Sequence, residues 1–203
     1  MKSLKRVKAR VIAFSVVAIA ATIVATASIA AAHDDDLPNG LGAVRKATAA
    51  FRDLKVATDS SYGILKDKDG IACIDNPGVG AMGVHYVNGD LVASGKVDAL
   101  HPQALVYEPA KNGHLHLVAV EYVTFQAAWD ESHTSPPTLF GVPFMLTPDD
   151  NRFGLPAFYS LHAWIWKANP LGRFSMWNPR VHCGKTHHGE SKDDDSMDMG
   201  DDH

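Results

Sequence analysis

His114-Leu115-His116-Leu117-Val118-Ala119-Val120-Glu121-Tyr122-Val123-Thr124-Phe125 is the longest extended pattern in the chain. Its odd positions are Leu115, Leu117, Ala119, Glu121, Val123 and Phe125. Its even positions are His114, His116, Val118, Val120, Tyr122 and Thr124. Successive side chains of a strand point to opposite faces, so alternation puts Glu121 on the more apolar face and His114 and His116 on the other. Asn112-Gly113, a turn pair that hairpins use, stands before this run, and Ala104-Leu105-Val106-Tyr107-Glu108 stands before the pair. Two extended runs with Asn-Gly between them predict an antiparallel meander.

The pattern extends in both directions. Upstream, Gly83-Val84-His85-Tyr86-Val87 is a strand-like run followed by a second turn pair, Asn88-Gly89. Downstream, Gln126 to Glu131 reads as a short helical turn, closed by Ser135-Pro136-Pro137. Leu139 to Leu146 is another extended run, and Pro143 confines it to an edge or a bulge.

Two segments carry helical spacing. Leu41, Val44, Ala47, Phe51 and Leu54 recur on one face with charged residues between them, which predicts an amphipathic helix over 41–55. Pro156 suits a first helical position and Asn169-Pro170 a stop; between them Phe158, His162, Ile165 and Trp166 share a helical face. This predicts a buried aromatic helix over 156–168. The expected fold is a single α+β domain over 41–183, a small antiparallel sheet covered by these two helices.

The flanks read differently. Lys2, Lys5, Arg6, Lys8 and Arg10 precede the apolar run Val11 to Ala25, and Ala30-Ala31-Ala32 fits a small-residue cleavage site. Residues 1–32 are therefore expected to be a signal peptide, with retention as a membrane anchor the alternative and no stable membrane insertion after cleavage. Residues 33–40 read as an acidic linker. Residues 184–203 carry seven acids against two lysines together with His and Met, and are expected to be a disordered tail. The formal charge of the chain is −4, and removing the five basic residues of the leader takes it to −9. A nucleic-acid partner is not expected of so acidic a domain, because phosphate attraction needs clustered Lys and Arg.

The two cysteines, Cys73 and Cys183, lie far apart and form no Cys-x-x-Cys. In an oxidising compartment such a pair is expected to make one disulfide. Gly78-Val79-Gly80-Ala81-Met82-Gly83 contains a literal Gly-x-Gly-x-x-Gly, but it leads into a strand rather than a helix. The reading is a tight turn, or backbone brought close to another element, rather than a dinucleotide site.

Eleven histidines are present, and two have unusual company. His85, Glu121 and His162 each interrupt an apolar run. A carboxylate on a buried strand face is costly unless it is paired, hydrogen-bonded or metal-bound. Two imidazoles and one carboxylate suit a divalent transition metal such as Zn, Cu or Fe, or an acid–base site. The alternative is that Glu121 pairs with Arg152 or Arg173 and that His162 donates to a backbone carbonyl. His114 and His116, on one strand face, and His187 and His188, in the tail, are weaker metal candidates. No nucleophile elbow and no His-Glu-x-x-His occurs.

Gly78 to Asn88 (GVGAMGVHYVN), Leu105 to Pro109 (LVYEP), Val120-Glu121-Tyr122, Leu161 to Pro170 (LHAWIWKANP) and Trp177-Asn178-Pro179 together resemble a group of exported bacterial proteins without an assigned function. The resemblance spans residues 42 to 183. It implies export and supplies no activity.

Function is expected to be that of an exported extracytoplasmic binding domain. Its partner would be a transition metal ion or a small polar ligand, held at an internal His/Glu site. A metal-dependent or acid–base enzyme (a lyase, isomerase or oxidase) using the same residues is the alternative, and a structural cell-surface protein the second.

Overall fold

The computed structural model describes residues 40–184. The predicted signal peptide, most of the predicted linker and the predicted tail with His187 and His188 lie outside the described residues. Among the described residues no helix is long and apolar enough to cross a membrane.

The chain begins with α1 (Leu41–Ala47), a 3-10 turn (Ala49–Arg52) and α2 (Leu54–Asp59). One helix over 41–55 was expected; three short pieces replace it. Thr48 hydrogen-bonds back to the Val44 carbonyl and ends α1. Asp53 adopts extended dihedrals and accepts the Lys55 amide, which starts a new helix. Of the expected face, Leu41 and Val44 are fully buried and Phe51 and Leu54 pack half-buried against the core, whereas Ala47 is exposed.

A seven-stranded antiparallel sheet follows. Its strands are β1 (Tyr62–Ile64), β2 (Cys73–Asn76), β3 (Gly80–Asn88), β4 (Ala104–Pro109), β5 (Leu115–Phe125), β8 (Met145–Thr147) and β9 (Phe158–Ala163). The order is β1-β3-β4-β5-β9-β8, with β2 also paired to β3. The predicted meander is β3-β4-β5, turned between β4 and β5 by Asn112-Gly113. Asn88-Gly89 is not a hairpin turn, however. Asn88 accepts the Leu91 amide and caps a short helix, α3 (Gly89–Ala93), before the chain enters β4. Helix α4 (Gln126–Asp130) stands where a helical turn was expected.

The run 139–146 divides. β6 (Thr138–Leu139) and β7 (Val142–Pro143) form a separate small hairpin, and β8 then joins the edge of the main sheet. Phe140 and Gly141 both take positive φ and reverse the chain between β6 and β7.

The aromatic helix over 156–168 is corrected to a strand. Phe158–Ala163 is β9, buried along its whole length, and the chain bends from Ile165 onward. Tyr159, Leu161 and Ala163 join the main core with Leu41, Val44, Leu105 and Tyr122, while Phe158, Ser160 and His162 face a cavity on the other side. Ser160 and His162 do alternate with Tyr159, Leu161 and Ala163, but a run this short, continued by the apolar Trp164-Ile165-Trp166, also fits the spacing of a buried helix.

The Gly-rich stretch is a close-approach segment. A Cβ on Gly83 would lie 2.5 Å from the Tyr107 carbonyl oxygen, and one on Gly80 2.5 Å from the Asn178 backbone. Both residues take positive φ, so an L side chain is excluded on sterics and on conformation alike. Cys73 and Cys183 form the expected disulfide, closing a sequence separation of 110 residues.

Candidate metal centre

His85, Glu121 and His162 sit on β3, β5 and β9. Glu121 and His162 are direct cross-strand partners and so share a face. His85 lies two strands from Glu121, with β4 between, a backbone separation of about 10 Å. His85 pairs with Val106 and Glu121 with Ala104. The two long side chains meet over the face of β4 that carries Ala104 and Val106.

They meet closely. His85 Nε2 is 3.3 Å from His162 Nε2 and 3.4 Å from Glu121 Oε2. His162 Nδ1 is 3.3 Å from Glu121 Oε1. One donor atom from each residue falls within 4.8 Å of the others, and all three residues are buried, at 3%, 8% and 4% exposure. Among the described residues this is the group of three or more His, Cys, Asp or Glu side chains that could hold a metal ion.

The distances discriminate between two kinds of contact. A charge-assisted N–H···O bond runs at about 2.7–2.9 Å, shorter than either His–Glu approach here. For tetrahedral bonds of about 2.0–2.1 Å, neighbouring ligand atoms stand about 3.3–3.4 Å apart. The spacings around His85 Nε2 match the second figure. His162 turns Nδ1 toward Glu121 Oε1 and Nε2 toward His85.

Burial sets the electrostatics. It pushes both imidazoles down, to about 4, with the Glu121 charge opposing the shift at His85 and the neighbouring His162 adding to it. Burial also raises Glu121, against the pull of His85 and of a hydrogen bond from Ser160. Both imidazoles are therefore neutral near pH 7, with lone pairs available for a ligand. His85 Nδ1 is buried and has no hydrogen-bond partner among the described residues.

The three residues open into a cavity of about 550 Å³. Its walls include Met82, Val87, Val123, Phe125, Phe158 and Trp177. Arg152 also lines it, but its guanidinium is committed to Asp67 at 2.6 Å, so it is not the partner of Glu121. Arg173 donates instead to the Trp164 carbonyl. The pairing alternatives for Glu121 thus give way to the two histidines, and His162 meets side chains rather than a carbonyl.

His114 and His116 are exposed and lie outside this group. Face parity does not separate them from Glu121 as expected. Val106 pairs with Ala119 and Tyr107 with Leu117, so Val118 is an extra residue that resets the alternation. The carbonyl of Val118 accepts the amides of Trp166 and Lys167 and anchors the chain beyond β9. Ser160 was not foreseen as a site residue. It lies two positions before His162 on one strand face, a relation visible only once 158–163 is read as extended.

No known protein family, curated protein or solved structure matches the chain, so its functional reading rests on the geometry of this site.

Proposed function

We propose that the chain is an exported extracytoplasmic binding domain that holds a divalent transition metal (Zn, Cu or Fe) at His85, Glu121 and His162. The observation that carries this is the spacing of the three donors, 3.3–3.4 Å around His85 Nε2. Those two spacings are close to the separation of neighbouring ligand atoms on one tetrahedral ion, and all three donors fall within 4.8 Å of one another. Neutral buried imidazoles and one carboxylate supply the donor chemistry. The disulfide supports an oxidising compartment, and the leader-like first thirty-two residues support export.

Elemental analysis of protein purified without a histidine tag should find about one metal ion per chain. Glu121→Gln should weaken binding by roughly tenfold or more, because it removes the site's only negative charge and keeps its shape. A metal content near zero, unrecovered on titration with Zn, Cu or Fe, sinks the reading.

A second reading is favoured by the cavity. Three protein donors beside an open space leave positions for a substrate, the arrangement of catalytic rather than closed structural sites. Glu121 and the histidines would then serve a metal-dependent or acid–base reaction. Turnover of a compound that enters the cavity, abolished by Glu121→Gln, would establish it.

A further inference from the structure

The cavity holds more apolar space than a metal ion and its waters require. It spans about 550 Å³, and its polar liners are mostly occupied elsewhere. The Asn151 side chain accepts the amides of Phe153 and Leu155 and donates to the carbonyls of Pro148 and Leu155. Arg152 gives Nε and Nη2 to Asp67. Ser160 is engaged with Glu121. The one cluster of polar side chains in the wall that can act together on a ligand is where His85, Glu121 and His162 converge.

Charge and volume then narrow the ligand. A divalent ion with two neutral imidazoles and one carboxylate retains one positive charge. Held against apolar walls, that charge calls for an anion, because an unpaired buried charge is costly. A halide or hydroxide would satisfy the charge but not the space. An apolar cavity of about 150 Å³ is enough for a benzene ring, so one of this size takes a body of roughly ten carbons.

We infer that the cavity binds an amphiphilic monoanion of the medium-chain carboxylate class. Its head lies at the His85–Glu121–His162 centre and its apolar body against Val87, Val123, Phe125, Phe158 and Trp177. This rests on the metal reading of the same site, and the test separates the two.

Mature protein loaded with zinc to one ion per chain is titrated calorimetrically with decanoate, acetate and 1-decanol, and the decanoate titration is repeated after chelation. Decanoate should bind at least about a hundredfold more tightly than acetate, as expected if half of its additional methylenes leave water. It should also bind roughly tenfold or more tightly than 1-decanol, and chelation should remove that advantage, since the anion's partner is the bound ion. Val123→Trp, compared at equal zinc content, should weaken decanoate by about tenfold or more by filling the cavity. If that variant does not fold, the wild-type titrations decide. Zinc bound at one per chain with decanoate no tighter than acetate, or equalled by 1-decanol, overturns the ligand and leaves the metal site standing. Failure to bind zinc, copper or iron overturns both.

Discussion

A residue that takes no part in the chemistry lies between two of the three site residues. Ala104 lies on β4 directly opposite Glu121, fully buried, between the strand of His85 and that of Glu121. His85 and Glu121, two strands apart, approach within 3.4 Å across this face of β4, where a larger side chain at 104 would project between them. Ala104→Leu should therefore part His85 from Glu121. We expect metal affinity to fall by roughly tenfold or more, with overpacking costing about 1–3 kcal/mol of stability. A variant that binds metal like the wild type would show that β4 does not gate the approach. His114→Ala is the matching control, because its exposed imidazole lies outside the centre. Its metal affinity should stay within about twofold of wild type, the change expected when no ligand or supporting hydrogen bond is removed.

At the scale of elements, legibility in the sequence followed solvent exposure. β3, β4 and β5 were readable because apolar runs were punctuated by Asn-Gly and because His114 and His116 mark an exposed end. β9 was not, since Tyr159 and Leu161 enter the core while Ser160 and His162 face the cavity, and so short a run with no solvent face fits either period. His85, Glu121 and His162 could be nominated as costly buried groups, yet their approach across β4 depends on register. That is not encoded in local pattern. The same holds for Asp67 and Arg152, 85 residues apart, which tie the loop after β1 to the loop before β9. The Arg152 hydrogen bond, joined by the amides of Ile71 and Asp69, holds the Asp67 carboxyl below its ordinary value. A folded-state value below the unfolded one means that the pair stabilises the protein above the ordinary carboxylate range. That contribution is lost as pH falls through the folded value. Asp67→Asn should be less stable than wild type to urea at neutral pH, and the difference should shrink below about pH 4. A difference that persists unchanged into acid would assign the effect to shape rather than to charge.

Across the whole molecule, the two faces of the sheet are closed in different ways. One packs under α1, the 3-10 turn and α2, with Tyr107 Oη donating to the Phe51 carbonyl and Tyr62 Oη to the Pro102 carbonyl. The other carries the cavity and a smaller cluster of Ala81, Val106, Val118, Ala119, Trp164 and Val181, against which Cys183 packs. The C-terminal segment is held to that face by the reciprocal amide–carbonyl bonds of Ala81 and Asn178 and by the disulfide. Cys73 lies on β2, which among the described strands pairs with β3 alone, so the bond ties that strand to the C-terminal segment. It also shortens the unfolded chain's freedom over 110 residues, an effect worth about 4–5 kcal/mol in the chain-entropy account. Neither cysteine lies among the cavity-lining residues or the metal donors. The double substitution Cys73→Ser with Cys183→Ser should therefore lower stability to urea by several kcal/mol, up to about 4–5. Metal affinity of the folded fraction should stay within about threefold of wild type, since no donor or supporting group is touched. Loss of less than about 1 kcal/mol would mean that the segment is secured by its backbone bonds and the small cluster alone. A collapse of metal binding in the folded variant would mean that the face carrying Cys183 also sets the geometry of the centre.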